Sequence, residues 1–297
     1  MRGSNANKIK DSTGWRIFNV CNIAFMIFLS FIMAYPIWHV LMASFSNAGM
    51  LMAHRGPLFV PAGFSYSAYE FVAQNPMIPI GYCNTLIIVI GGTTLNILMT
   101  ICSAYFLSRR NQAITKFVTM FIMFTMFFSG GMIPGFLNVK DLGIYDTLWA
   151  LILPGAVSTF NTIILRTSFM SLPDSLEESA MLDGANDWTI LTKICVPLST
   201  AVLAVLVLYY SVGHWNSWFN AMLYLQNRKL QPLQLVLRQI LIQNDVTDMV
   251  QQTADDEPIA ETIKYAVIIV ATVPILCLYP FVQKYFVKGV LVGAVKG

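Results

Sequence analysis

Charged residues along this chain are gathered into short groups, which leave six long stretches free of Asp, Glu, Lys and Arg. Each stretch holds an apolar core, such as Leu86-Ile87-Ile88-Val89-Ile90 or Val267-Ile268-Ile269-Val270. A helix that crosses a hydrocarbon core of roughly 30 Å needs about 20 apolar residues. The pattern therefore predicts an all-α integral membrane protein whose six transmembrane helices lie near residues 15–43, 80–107, 117–137, 147–170, 198–225 and 261–285.

Composition and charge support this prediction. Only 11% of the 297 residues are charged, against about 25% in soluble domains. The net charge of +3 is too small to favour nucleic acid as a partner. Because basic residues collect on the cytoplasmic side of a membrane, both termini are predicted to be cytoplasmic. The basic groups that decide this are Lys8, Lys10 and Arg16; Arg109, Arg110 and Lys116; and Lys284, Lys288 and Lys296.

The chain is accordingly divided into a cytoplasmic segment 1–14, a transmembrane domain 15–285 and a cytoplasmic tail 286–297. The first apolar stretch, from Ile17 to Val40, is too long for a signal peptide and is interpreted as a retained helix. Helix-breaking residues fall inside or at the ends of the spans, where neighbouring helices can satisfy the freed backbone groups. They include Pro36, Pro134, Pro154, Gly91-Gly92 and Gly130-Gly131.

Two outer segments are long enough to have a function. The segment 44–79 is rich in Gly, Pro and aromatic residues and is predicted to lie along the membrane surface. The segment 226–260 is polar and ends in the acidic run Asp255-Asp256-Glu257. It also contains a predicted amphipathic helix, whose apolar residues are Leu233, Leu235, Val236, Leu237, Ile240 and Leu241.

The inner connection, at about 173–197, carries the signals of two short helices. Ser175 is followed three residues later by Glu178, which is the spacing of a capping box. A first helix is therefore predicted from near Leu176 to Asp183. Gly184 fits the left-handed position that ends many helices, because a side chain would be strained there.

Asp187 is the predicted N-cap of the second helix, in which Trp188, Leu191 and Ile194 recur on one face. Pro197 is predicted to stop this helix and to let the fifth span begin. The two helices and the glycine between them form an elbow on the predicted cytoplasmic side.

Acidic residues dominate the elbow. A compact elbow with its charges outward fits a docking surface for another protein, and a solvated connector explains the same composition equally well. The acids are Asp174, Glu177, Glu178, Asp183 and Asp187, against the single base Lys193.

The elbow contains Glu178-Ser179-Ala180, Gly184, Ile194 and Val196-Pro197 in a fixed spacing, and Asp183-Gly184-Ala185 at its turn. This segment resembles the signature loop of permease subunits in binding-protein-dependent ABC importers. In that loop Glu-Ala-Ala is followed by three residues, Gly, nine residues, Ile, one residue and Leu-Pro. Ser179 for the first Ala and Val196 for Leu are small departures.

The resemblance extends along most of the chain. Trp215-Asn216 looks like the Trp-Asn of carbohydrate-uptake permeases, and the ending Lys288–Gly297 looks like the tail of the smaller six-span permease of maltose-type systems. Among these, the chain looks most similar to the importers of oligosaccharides and polysaccharide fragments.

The resemblance implies a type I ABC importer permease fold in a prokaryotic cytoplasmic membrane. It implies four partners besides the lipid bilayer: a second, homologous permease, two copies of a nucleotide-binding ATPase subunit, and an extracellular or periplasmic solute-binding protein that could reach the outer segments. By the same analogy, the residues that couple to the ATPase are Glu178, Ser179, Ala180, Asp183, Gly184 and Pro197. The chain has no phosphate-binding Gly-x-x-x-x-Gly-Lys-Ser/Thr motif, so ATP and Mg²⁺ are expected on the partner subunits and no cofactor is expected in this chain.

The substrate path is predicted from polar and aromatic residues in the spans, because sugar sites pair aromatic faces with amide and hydroxyl groups. The same residue types also join helices or mark the membrane boundary, and both interpretations stay open. Arg166 is interpreted as a boundary residue whose charged end reaches the membrane surface. The path candidates are Asn161, Tyr209, His214, Trp215, Asn216 and Trp218, with Asn84, Thr162 and Tyr210 beside them.

Two other classes of function find less support. A secondary transporter or channel needs intramembrane carboxylates or cation sites, and the six predicted spans hold essentially none at mid-depth. A membrane enzyme needs a catalytic or metal-binding group, but His39, His54 and His214 are scattered without metal-ligand spacing, and neither catalytic nor metal residues are predicted. The five cysteines have no paired spacing and are interpreted as small apolar residues.

Overall fold

The computed structural model describes residues 12–109, 113–242 and 262–277, and its regular structure is helical. Lys8, Lys10, Arg110, the acidic run at 255–257 and the tail 286–297 lie outside these described residues. Two short turns supplement the α-helices: a π-helical turn at Leu191–Cys195 and a 3-10 turn at Arg228–Leu230. The helices are α1 (Thr13–Ser44), α2 (Ala48–Ala53), α3 (Ser67–Gln74), α4 (Met77–Ser108), α5 (Ala113–Phe127), α6 (Met132–Asp141), α7 (Trp149–Ile152), α8 (Thr159–Met170), α9 (Asp174–Leu182), α10 (Asp187–Ile190), α11 (Val196–Leu198), α12 (Thr200–Trp215), α13 (Phe219–Tyr224), α14 (Leu233–Ile242) and α15 (Thr262–Cys277).

Helices α1 and α4 have 32 residues each, and both are apolar and long enough to cross a membrane. Two further pairs pass the same test only if each pair is counted as one bent span. These are α5 with α6, bent by 115°, and the α10–α11 segment with α12, bent by 83°. Helix α15 is apolar but shorter in its described part. The helical prediction is confirmed for the described residues, and the number of six spans stays a prediction.

The candidate helix breakers have different outcomes. Gly131 adopts a left-handed φ of 91° at the N-terminus of α6, so the pair Gly130-Gly131 does interrupt the third predicted span. Pro36 lies inside α1 without ending it. The pair Gly91-Gly92 lies inside the continuous helix α4, and Gly92 has a packing function there instead.

The chain divides into two compact units, of which the first comprises residues 1–70 and 253–269. In this unit the segment that follows α1 folds back onto the end of that helix. The Tyr35 hydroxyl accepts a hydrogen bond from the Leu58 amide at 3.0 Å, and the hydroxyls of Ser44 and Tyr69 lie 2.8 Å apart. The ring of Phe45 stacks on that of Phe64. These contacts give a Gly- and Pro-rich segment a fixed course.

The second unit, residues 71–252 and 270–297, is built around α4, which packs against α8, α12 and α14. Two apolar clusters lie along it. The cluster near its N-terminal half joins α4 to α6, α7, α13 and α14 through Ile88, Val139, Ala150, Leu151, Ile152, Ala221, Tyr224, Leu225 and Leu235. The cluster near its C-terminal end joins α4 to α8, the elbow and α12 through Ala104, Tyr105, Leu165, Phe169, Ile190, Leu191, Cys195 and Leu206.

The amphipathic helix predicted in the outer segment 226–260 is present as α14. Its apolar face is buried, and the Leu233 amide donates a hydrogen bond to the Thr85 hydroxyl at 2.9 Å. Asn84 donates to the carbonyls of Lys229 and Gln231 at 2.8 and 3.0 Å. The predicted amphipathic helix is therefore confirmed, and it is fastened to one end of α4.

Helix α4 also carries a polar stripe that bonds to α12. Nε2 of His214 donates to Oδ1 of Asn96 at 2.6 Å, and the hydroxyls of Thr100 and Tyr210 lie 2.7 Å apart. The amide of Asn96 donates in turn to the Gly155 carbonyl at 2.6 Å. Within hydrocarbon such bonds contribute about 0.6–2 kcal/mol each. Close approach of the two helices depends on Gly92, because a Cβ there would lie 2.5 Å from Nε2 of His214.

We predict that Gly92→Ala lowers the free energy of unfolding by about 1–3 kcal/mol, because the added methyl displaces His214 from Asn96. Thermal unfolding of the detergent-solubilised protein measures the change. The matched control is Gly213→Ala on α12, where an added Cβ has no atom within 4 Å. Unchanged stability of Gly92→Ala, or no recovery when His214→Ala is added to it, would contradict the prediction.

Candidate functional site

The first helix of the elbow begins earlier than predicted. Helix α9 starts at Asp174 with Pro173 as its N-cap residue, and no side chain caps it. The capping box of Ser175 and Glu178 was therefore the wrong interpretation. Pro173 suits the start of a helix because its φ is fixed and it has no amide hydrogen that would need an acceptor. The acids Asp174 and Glu177 in the first turn interact favourably with the helix dipole.

The turn of the elbow is the one predicted. Gly184 has a φ of 80°, directly after the C-cap residue Asp183. The Gly184 amide donates to the Met181 carbonyl at 3.0 Å, and the Ala185 amide donates to the Ala180 carbonyl at 2.9 Å. This pair of bonds is a Schellman motif, in which a left-handed residue satisfies the last carbonyls of a helix.

The second arm of the elbow differs from the prediction at both ends. The N-cap is Asn186, whose Oδ1 accepts the Thr189 amide at 2.8 Å, so Asp187 is the first helical residue. Pro197 does not stop the helix, which passes through a π-helical turn and continues to Leu198. The bend follows at Ser199. The π-helical turn before Pro197 is wider than an α-helical turn, and it accommodates a proline that has no amide hydrogen to donate to the preceding turn.

Two acids of the elbow, the largely buried Glu177 and the more exposed Asp187, hold it against the end of α4. Arg109, at that end, forms an ion pair with Glu177, and its guanidinium lies 4.0 Å from the centre of the Tyr105 ring. The Tyr105 hydroxyl donates to Asp187 at 3.0 Å, and the Cys195 thiol donates to Glu177 at 3.6 Å. We call these five residues the elbow anchor.

The ion pair in the elbow anchor is largely buried, which distinguishes it from a surface ion pair. The side chains of Arg109 and Glu177 are only 21% and 23% exposed. Breaking an ion pair at such a site leaves one charge without its partner, which is costly. Burial, and next the negative charge of Glu177, raise the pKa of the Cys195 thiol to about 12. Cys195 is therefore a protonated thiol packed inside the elbow.

The sequence analysis grouped Glu177 and Asp187 with the outward acids and so missed the elbow anchor. The available signal was Arg109, a cation at the end of a charge-free stretch, where a nearby carboxylate is favourable. Which of the five acids supplies it depends on the direction in which α9 and α10 leave the bundle, and local spacing does not contain that information.

The other face of the elbow is exposed and mixed in character. Glu178, Ser179, Asp183 and Gly184 are exposed, whereas Ala180 is half-buried and packs against the apolar cluster beneath it. Large apolar side chains lie among the acids, and Leu182 is 90% exposed. We call this exposed face the elbow surface; its apolar members are Leu176, Met181, Leu182 and Trp188.

Of the predicted substrate-path residues, two lie within the helix packing. His214 bonds to Asn96, as described above, and Asn161 is buried near the start of α8. Tyr209 is 47% exposed, so it does not share the packed environment of Tyr210 beside it.

The remaining three lie at the end of α12. Trp215 is buried, and its indole nitrogen has no hydrogen-bond partner. Asn216 is the C-cap residue and donates to the Val212 carbonyl at 3.0 Å. The guanidinium of Arg238, on α14, lies 3.5 Å from the centre of the Trp218 ring. A substrate role for these residues stays a prediction. Within the part of the chain that the structure describes, no group of three or more His, Cys, Asp or Glu side chains could hold a metal ion.

Comparison with known proteins gives consistent results. The chain is 40% identical over 284 residues to the polygalacturonan/rhamnogalacturonan transport system permease protein YtcP of Bacillus subtilis, covering 95% of this chain and 99% of the relative. It is 41% identical to protein LplC of the same organism, over 95% and 96% of the two chains. No protein-family model matches the chain.

Solved structures agree with these relatives. A chain in the crystal structure of a bacterial ABC transporter involved in the import of the acidic polysaccharide alginate superposes with a TM-score of 0.86. It is 31% identical, and the match covers 94% of this chain and all of that one. A second alginate ABC transporter structure, 17% identical with a TM-score of 0.58, shares the fold.

We predict that Glu177→Gln loosens the elbow and lowers the free energy of unfolding by about 2 kcal/mol, because Arg109 loses its buried carboxylate partner and keeps only the exposed Asp187 at 3.9 Å. Alkylation of Cys195 reports the change once Cys21, Cys83, Cys102 and Cys277 are replaced. The buried, protonated thiol should react slowly in the parent protein. It should react at least about tenfold faster in the variant, since both access and the thiolate fraction increase.

Glu178→Gln is the matched control, because it removes the neighbouring acid on the exposed face of the same helix. It should leave the alkylation rate unchanged. Equal rates for both variants would show that Glu177 does not hold the elbow.

Proposed function

Because this chain belongs to the permease subunits of carbohydrate ABC importers, we propose that its elbow is the coupling element through which separate ATPase subunits act on the membrane helices. The observation that carries this proposal is the two-sided geometry of the elbow. One face is held to the end of α4 by the elbow anchor, and the other presents Leu182 and Trp188 to the surroundings. A displacement of the exposed face is thereby transmitted to α4.

The elbow surface suits a protein partner. Apolar side chains as exposed as Leu182 are costly in water and are typical of an interface when they lie together. The acids Glu178 and Asp183 at their side provide specificity for a basic partner surface. In this proposal Ser179 and Gly184 allow close backbone approach, Ala180 fixes the helix to the bundle, and Pro197 lies in the arm that leads into α12.

We further propose six spans with both termini in the cytoplasm, within the transmembrane domain 15–285. The spans are α1, α4, α5 with α6, α7 with α8, α12 with α13, and α15, so several are interrupted helices. In this topology the elbow faces the cytoplasm of a prokaryotic cell, and the outer segments 44–79 and 226–260 face a soluble binding protein.

The proposed assembly contains this chain, a second homologous permease, two ATPase subunits that bind ATP and Mg²⁺, and the binding protein. This chain contributes no nucleotide site of its own. The proposed cargo is an oligosaccharide, and fragments of acidic polysaccharides are the first substrates to test, because two relatives are named for such polymers. ATP-dependent uptake by the reconstituted assembly, and none without the ATPase subunits, is the expected result.

We predict that Gly184→Val reduces uptake roughly tenfold or more while ATP hydrolysis continues. The reason is that a β-branched residue is strained by about 1–2 kcal/mol in the left-handed conformation and alters the turn. Uptake and ATPase activity of the reconstituted assembly are measured together. The matched control is Gly143→Val, which carries a similar strain at a φ of 70° on the proposed outer side. Normal uptake by Gly184→Val would count against the proposal.

We also predict that Leu182→Asp weakens the association with the ATPase subunits at least about tenfold, because it places a charge at the centre of the elbow surface. The residue is 90% exposed, so the folded permease should keep its stability. Pull-down of the ATPase by the purified permease pair measures the affinity. Leu142→Asp, an exposed leucine on the proposed outer side, should bind as the parent does. Equal binding by both variants would exclude the elbow surface as the docking site.

A further inference from the structure

A groove of about 460 Å³ opens between α5 and α8 beside the end of α4. It lies next to the elbow anchor and shares Arg109 with it. Apart from Arg109, no residue that lines it belongs to the elbow anchor or to the predicted substrate path. We call it the basic groove, and the lining residues that define it here are Arg109, Lys116, Met120, Met123, Arg166 and Met170.

The end of the basic groove near α4 is cationic. Nε of Arg166 donates to the Leu107 carbonyl at 2.8 Å, which fixes the guanidinium at the level of the last turn of α4. Lys116 is exposed in the first turns of α5. Arg109 is paired with Glu177, but neither Arg166 nor Lys116 has a carboxylate partner among the described residues. Arg166 is therefore a fixed cation in the groove as well as a boundary residue.

Apolar surface continues from the cations along α5. Lys116, Met120 and Met123 lie four and three residues apart, so they share one face of the helix. At 1.5 Å per residue the two methionines lie about 6 and 10 Å beyond the lysine. Both are exposed, Met120 at 65%. Their flexible side chains can adapt to a chain-like ligand.

We propose that the basic groove binds an anionic phospholipid, with its phosphate at Lys116 and Arg166 and an acyl chain along Met120 and Met123. The leaflet is the cytoplasmic one if the topology under the proposed function is correct. Basic pockets between transmembrane helices on that side suit such headgroups, since the cations meet the phosphate and the helix faces meet the hydrocarbon.

The arrangement favours a lipid over a helix from the second permease. A protein partner would have to supply acids for two unpaired cations at one level and an apolar face at the next. Every anionic phospholipid combines a charged headgroup with apolar chains, and such lipids surround a membrane protein at high concentration.

The test is a titration of the delipidated, fully assembled transporter with dioleoylphosphatidylglycerol, followed by native mass spectrometry. Each cation near the membrane surface contributes about 1 kcal/mol, or roughly fivefold in affinity. Lys116→Gln should therefore lower the affinity roughly fivefold, and the double variant Lys116→Gln with Arg166→Gln about 30-fold. Dioleoylphosphatidylcholine should bind weakly. Millimolar inorganic phosphate should not displace the lipid, because free phosphate lacks the acyl chain.

Three controls make the result specific. Lys140→Gln removes an exposed lysine outside the groove and should bind as the parent does. Arg166→Lys keeps the cation and should retain most of the affinity. If loss of Arg166 impairs assembly, the single variant Lys116→Gln still tests the proposal, because Lys116 is exposed and its replacement should not disturb the fold.

Unchanged affinity in the double variant, or equal affinity for phosphatidylcholine, would overturn the proposal. Efficient disulfide cross-linking of Met120→Cys to the second permease would do so too, because the groove would then be a subunit interface. The assay measures binding without transport, so its failure is distinguishable from failure of the proposed coupling function.

Discussion

A polar or charged group that enters hydrocarbon has to find its partner inside the protein, because no water is available there. Helix α4 shows how far this constraint organises the fold. Asn84 fastens α14 at one end, Asn96 bonds to His214 of α12 in the middle, and Arg109 meets Glu177 of the elbow at the other end. Helix α4 carries more buried polar side chains than any other described helix, and α8, α12, α14 and the elbow pack against it.

The elbow derives its two-sided character from the same constraint. A largely buried Arg109 without a partner would be costly, and pairing with Glu177 lowers that cost while fixing the position of α9. The neighbouring acid Glu178 remains exposed, because consecutive residues of a helix point about 100° apart. Two adjacent carboxylates thus have different roles, one structural and one available to a partner. In the proposed function, this division allows force on the elbow surface to reach α4.

Glycine has two distinct uses in the same unit. At Gly184 the requirement is conformational, since a left-handed residue lets the carbonyls at the end of α9 be satisfied. At Gly92 the requirement is space, since the ring of His214 occupies the volume where a Cβ would lie. His214 is consequently part of the packing between α4 and α12, which is one of the two interpretations that its sequence position left open.

The sequence by itself determined the helical class, the apolar faces, the amphipathic α14 and the turn at Gly184, because each depends on local periodicity or on the conformation of one residue. Only the tertiary structure decided that Glu177 meets Arg109, that the helix continues through Pro197, and that Gly92 admits His214. Partners such as Arg109 and Glu177 are 68 residues apart along the chain. Their pairing depends on the packing of whole helices, which spacing within a single helix does not specify.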